Sequence, residues 1–205
     1  MALTSYSGLV TAVGSWLERD DVAALVPDWI ALVEARLNRA LRVSKQVVRS
    51  TATISDEFSE LPGDFLAPRS MRLTGGDKRV LAYLTPEQMG EYKATSPSGV
   101  LNAYAIVGGE FEYGPTPVDA TEVALTYFAT IPALTSTNTT NWVLESHPDA
   151  YLRGCLLEAA IYYQDAEQAA ANAQLFADAV SAIEADDRRS GYAATITPTP
   201  SAYAI

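Results

Sequence analysis

His147 and Cys155 are the only imidazole and thiol in the 205-residue sequence, and they stand eight positions apart. Nucleophilic chemistry needs an ionisable, accessible thiol, but Cys155 falls among Leu152, Leu156 and Leu157 in a helical pattern, which predicts a buried structural thiol. His147, between Glu145 and Asp149, has the donor types of a weak metal site. One imidazole and two acids ahead of a helix read more simply as a loop histidine beside a cap. Glu110 and Glu112 share one side of a strand pattern and imitate a carboxylate pair, against the plainer reading of an acidic solvent face. Gly108-Gly109 leads to neither a lysine nor a helix, so it is no phosphate cradle. Asn138-Thr139-Thr140 is a glycosylation sequon by letter, and a polar loop by context. No catalytic residue, cofactor or metal is expected, and catalysis has no foothold.

Charge carries more information. Lys and Arg total 14 against 25 Asp and Glu, a formal charge of −11 and a pI near 4.4. That balance excludes holding nucleic acid by broad phosphate neutralisation, which needs a Lys/Arg surface. The charges are also segregated. Arg36, Arg39, Arg42, Lys45 and Arg49 follow one another without an intervening acid, whereas from Ala94 to Asp187 Arg153 is the only base among many acids. Such asymmetry can align copies of one chain, basic face to acidic face, so Arg36, Arg39 and Arg42 are expected at an interface. The alternatives are two solvated faces that meet nothing, and nucleic-acid binding through the basic segment, which has no interleaved base-stacking aromatics and sits in a strongly negative protein.

The elements that must position these residues are read from periodicity. Leu9, Val13, Trp16 and Leu17 predict a helix over 6–19. Pro27 starts a second, with Trp29, Leu32, Val33, Leu37, Ala40 and Leu41 on one broad face. After Lys45 the period becomes two: a strand through Val48, Ala52 and Ile54 turns at Ser55-Asp56-Glu57 and returns through Phe58 and Leu61. Met71 and Leu73, with residues 80–84, predict a second hairpin across Gly75-Gly76-Asp77. Thr85-Pro86-Glu87-Gln88 is a capping box opening a helix to about Tyr92. Gly108-Gly109 joins a third hairpin, and Val123–Ala129 reads as the central strand. Residues 131–148 show no periodicity and are expected as a loop. Leu152, Leu156, Ala159, Ala160 and Tyr163 mark a helix from Pro148-Asp149, and Asp165 with Gln168 caps another carrying Leu175, Phe176, Ala179, Val180 and Ile183.

The expected fold is therefore α+β: an N-terminal helical hairpin, a central mainly antiparallel sheet of about six or seven strands with a short inserted helix, and a C-terminal helical pair. One domain spans 1–189. Residues 190–205 lack charge and contain Pro198 and Pro200, which predicts an extended arm with Tyr192, Ile196, Tyr203 and Ile205 as anchors for a partner. Trp142 either packs its own loop or contacts a partner. No export signal or membrane-spanning run is read from the sequence.

The stretch Tyr6–Leu9 to Trp16-Leu17 followed by Val26–Arg39 resembles the head-to-tail connector proteins of tailed bacteriophages, also called adaptor or gatekeeper-type proteins. The resemblance continues through Leu61–Leu66, Tyr83–Gln88, Tyr104–Gly109, Thr126–Leu134, Thr139–Leu144 and Leu156–Ala160. No piece is specific alone; their order and spacing are. The resemblance implies a homo-oligomeric ring of about 12 copies, docked between the capsid portal and the tail, its tube or its nozzle, with genomic DNA passing through unread. The chain would be made in the host bacterial cytoplasm and end at the head–tail junction of the virion. No catalytic residues come with the family. A channel that lets DNA slide should be acidic, and Glu158, Asp165, Glu167 and Asp178 are its expected lining. The competing reading is a tail-completion or tail-terminator ring that binds the tail tube.

Overall fold

The structure, a computed structural model, describes residues 3–76 and 78–193. In chain order its elements begin with α1 (Tyr6–Trp16), α2 (Val26–Ala40), a 3-10 turn at Ser44–Gln46, β1 (Val47–Ile54), β2 (Phe58–Glu60), β3 (Phe65–Leu73) and β4 (Ala82–Tyr83). There follow α3 (Pro86–Thr95), β5 (Ser98–Gly99), β6 (Ala103–Val107), β7 (Glu110–Gly114), β8 (Thr116–Pro117) and β9 (Thr121–Ala129). The chain closes with α4 (Trp142–Ser146), α5 (Pro148–Tyr162) and α6 (Ala166–Ala193). The class is α+β. Contacts gather into two compact units, a helical one (Met1–Lys45 with Ile131–Ile205) and a β-rich one (Gln46–Thr130).

In the helical unit, Ser5 starts α1 by accepting the Gly8 N–H at 3.2 Å. The helix stops at Trp16, short of the expected residue 19, because Glu18 turns left-handed (φ 52°). The Arg19 N–H then reaches back to the Gly14 carbonyl and the Glu18 N–H to Ser15, a Schellman ending built without glycine. Gln164 (φ 59°) ends α5 in the same way, with Asp165 N–H on Ala160 and Gln164 N–H on Ile161. Asp165 then caps α6, accepting the Gln168 N–H at 3.0 Å. Helix α6 continues through Ala193, so residues 190–193 are helical where an extended arm is expected.

Helix α5 is buried nearly all round, since α1, α2, α4 and α6 all pack on it. The closest approach is at Gly154. A Cβ there would lie 2.6 and 2.8 Å from the Val33 methyls and 3.2 Å from Phe176. Only a residue without a side chain lets α2 and α6 come this near on both sides.

Residues 131–141 are irregular but tied down. The Ile131 N–H donates to Asn38 Oδ1 and the Leu134 N–H to Glu34 Oε1, at 2.8 and 2.7 Å. Tyr151 Oη also donates to Glu34 Oε1 at 3.0 Å, and Asn141 Nδ2 donates to both Tyr151 Oη and the Pro132 carbonyl at 2.7 Å. Asn141 Oδ1 in turn accepts the Leu144 N–H and caps α4. The expected loop 131–148 thus contains a helix, too short at five residues to show a period.

The β-rich unit holds three small sheets instead of one central sheet: β1-β9-β3, β2-β7-β6-β4 and β5-β8. β9 is central to the first, as its alternation predicts, and antiparallel to both neighbours. Gly108 and Gly109 take φ of 62° and 91° and close the β6–β7 hairpin, in agreement with their glycine signal. Two expected hairpins differ. β2 pairs with β7 instead of returning along β1, and β4 pairs in parallel with β6, leaving only the Arg72–Val80 bridge of the second hairpin. Aromatic packing accounts for part of this: Tyr104, Phe111 and Tyr113 join Met71 and Leu125 in one core. The capping box at Thr85 and Gln88 forms as read, and α3 runs on to Thr95.

Three substitutions test the packing and ionisation of the helical unit. Gly154→Ala should cost roughly 1–3 kcal/mol in denaturant unfolding, as overpacking against stiff β-branched Val33 does. Gly191→Ala, whose added methyl meets nothing within 4 Å, should be neutral or stabilising by up to about 1 kcal/mol. Burial holds the Glu34 carboxyl above the usual glutamate range, although the Leu134 N–H and Tyr151 hydroxyl oppose the shift. A raised folded pKa gives stability that is fully present below the unfolded value of about 4.3 and is lost as pH rises through the folded one. Glu34→Gln keeps the acceptor and removes the ionisation. Its stability relative to wild type should therefore improve between pH 4 and pH 7 in urea unfolding; a relative loss over that range would refute the assignment.

Candidate assembly surfaces

Cys155 is fully buried, and burial, with Glu158 and Glu34 adding to it, pushes its thiol far above the ordinary range, so it stays protonated. Among the described residues no group of three or more His, Cys, Asp or Glu gathers where one metal ion could sit. Nor is any described helix long and apolar enough to cross a membrane.

The basic run divides. Arg36 is engaged within its own chain: its Nε donates to Glu158 Oε1 at 2.6 Å, joining α2 to α5. Glu158 is 7% exposed and Arg36 39%, so this expected channel acid and this expected interface base satisfy each other inside one chain. Arg39 and Arg42 are exposed. Arg42 folds back over the end of α2, donating to the Asn38 and Leu41 carbonyls, which complements the negative end of that helix. Among the other expected channel acids, Asp165 caps α6, Glu167 is exposed in its first turn, and Asp178 accepts from Gln174 at 2.9 Å on the exposed face. Trp142 is half-buried against the helical core and also borders a recess of about 210 Å³ with Lys45, His147 and Asp187. The side chain of Tyr192, and Ile196, Tyr203 and Ile205 entirely, lie outside the described residues.

A second surface escaped the sequence reading. Where α1 and α5 both end in left-handed turns, Trp16 and Tyr162 are each 56% exposed, beside Ile161 and Tyr163. Arg153 lies over the Trp16 ring at 4.8 Å and Arg19 over the Tyr163 ring at 4.6 Å. Arg19 is held in place by both oxygens of Asp21, at 2.9 and 2.6 Å. Together Trp16, Arg153, Leu156 and Tyr163 line a groove of about 350 Å³. Exposed Trp, Tyr and Arg in one patch is the composition of interface anchors. The available signal was Arg153, the lone base in an acidic stretch, but Trp16 follows the apolar period of α1 and reads as core.

The Arg36–Glu158 pair predicts an asymmetry. Arg36→Ala strands a buried carboxylate and should cost roughly 2–3 kcal/mol, whereas Glu158→Gln keeps an acceptor and leaves the half-exposed guanidinium free to hydrate, costing about 1 kcal/mol or less. Urea unfolding of both variants at pH 7 checks the order of the two.

No curated protein sequence matches the chain. The family described as SU10 adaptor protein matches it over residues 4–199, which takes in both compact units. The chain belongs to the SU10 adaptor protein family, and is thus a bacteriophage structural protein of the adaptor kind.

Proposed function

We propose that this chain forms an oligomeric ring, of about 12 copies, that joins the capsid portal to the tail and lets the genome pass. The observation that carries this reading is the adaptor-family match over residues 4–199. Its surfaces support an assembling protein. Arg39 and Arg42 offer exposed positive charge in a chain of net charge −11, and the Trp16–Arg153–Tyr163 patch offers desolvatable anchors. The lumen is net negative in this account, lined by exposed acids of the Asp165, Glu167 and Asp178 kind. Phosphates then pass a repelling wall and are not trapped.

Electron microscopy of the purified protein mixed with portal, and separately with tail tube, tests the assignment. Rings seated on the portal are expected; rings only on tail-tube ends would assign a tail-completion protein instead. Arg39→Glu with Arg42→Glu should keep the fold, losing only the Arg42 bonds at the end of α2, and lower ring yield most at low salt, where screening is weakest. Unchanged ring yield would remove these two residues from the interface.

A further inference from the structure

Strand β1 is an unprotected edge. It forms one side of the β1-β9-β3 sheet, and its pairing with β9 runs through eight consecutive residues without a bulge. Residues 48–53 are exposed on both faces of the strand, and Arg49 is the only charge in Val47–Ile54. Among the described residues no strand pairs with its outer side. The opposite edge is defended in the usual ways: β3 carries Pro68, two register irregularities, and a cover in which the Leu81 N–H donates to Met71 and the Leu73 N–H to Arg79. A β-branched edge with one charge and neither proline nor bulge is a template for another strand.

The same sequence contains a segment whose composition suits that edge. In an extended chain the N–H and C=O of successive residues point alternately to opposite sides. Over Thr195-Ile196-Thr197-Pro198-Thr199-Pro200-Ser201-Ala202-Tyr203, both prolines fall on one side, with Ile196 and Ala202. The other side keeps every donor: Thr195, Thr197, Thr199, Ser201 and Tyr203. Such a strand can pair along one edge only, and its proline side stops further addition. Its length, nine residues, matches the eight of β1, and it has no charge to desolvate.

We infer that residues 195–203 of one copy add to the outer edge of β1 of a second copy, donating from the threonine side and closing that sheet with the proline side outward. This rests on the ring reading and deepens it: the exposed edge becomes the socket and the uncharged segment the clasp between neighbours. Main-chain bonds supply the affinity, and the alternation of proline with threonine supplies the polarity that keeps the addition from propagating.

Hydrogen exchange of the full chain, free and assembled on portal, reads this directly. Assembly should slow alternate amides of residues 48–54 at least tenfold relative to the free chain. Ser201→Pro, on the donating side, should abolish that protection, and Ala202→Pro, on the blocked side, should preserve it. Rings seen by electron microscopy with β1 unprotected would overturn the pairing and leave the ring reading standing; absence of rings would overturn both. Protection lost equally in both proline variants, retained in both, or already present in the free monomer would each overturn the inference, since each removes the side-specific, between-copy bond it requires.

Discussion

The helical unit depends on how near α2 and α6 can come to α5, and Gly154 sets that distance. With no side chain at 154, the Val33 methyls and Phe176 occupy the space a Cβ would take. The nearness on the α2 side brings Glu34 within reach of Tyr151 and Arg36 within reach of Glu158. Glu34 then holds the Leu134 amide, while Asn141, through Tyr151 and the Pro132 carbonyl, positions the start of α4. A single close contact therefore propagates, through hydrogen bonds of 2.6–3.0 Å, into the ordering of a segment that has no regular structure of its own.

Much of this was legible locally and little of it nonlocally. The Thr85–Gln88 capping box, the Gly108-Gly109 turn, the Asp165 cap and the alternation of β9 each depend on a few neighbouring residues, and each forms as read. The helix ends at Glu18 and Gln164 were hidden because left-handed turns usually announce themselves by glycine, and these do not. The sheet partners were hidden for another reason. Adjacency in sequence suggests that β2 returns along β1, but the choice of β7 is made together with an aromatic core drawn from distant strands. Among candidate site residues, the exposure of Arg39 and Arg42 follows the charge pattern, whereas the mutual neutralisation of Arg36 and Glu158 required knowing that residues 122 apart meet.

Charge in this adaptor serves two ends. Where carboxylates are buried, they are matched: Glu158 by Arg36, Glu34 by two donors. Glu112, 16% exposed, is likewise matched by Lys93 at 2.7 Å, and most other acids among the described residues are exposed, in a chain of net charge −11. Against that background the cations that do reach the surface gain in meaning. Arg153 and Arg19 are laid on aromatic faces, and Arg39 and Arg42 stand at the end of α2. Each of these four cations is thus laid on an aromatic ring or placed at a helix end, in a chain that belongs to a phage adaptor family.

We propose that copies of this chain form a ring at the head–tail junction. Electron cryomicroscopy of the intact virion, reconstructed at the portal vertex, tests it most directly. The account predicts a closed ring of this chain between portal and tail, its helices and small sheets fitting the density and its inner wall carrying more acid than base. Density for the chain away from that vertex, or a junction built without it, would contradict the account.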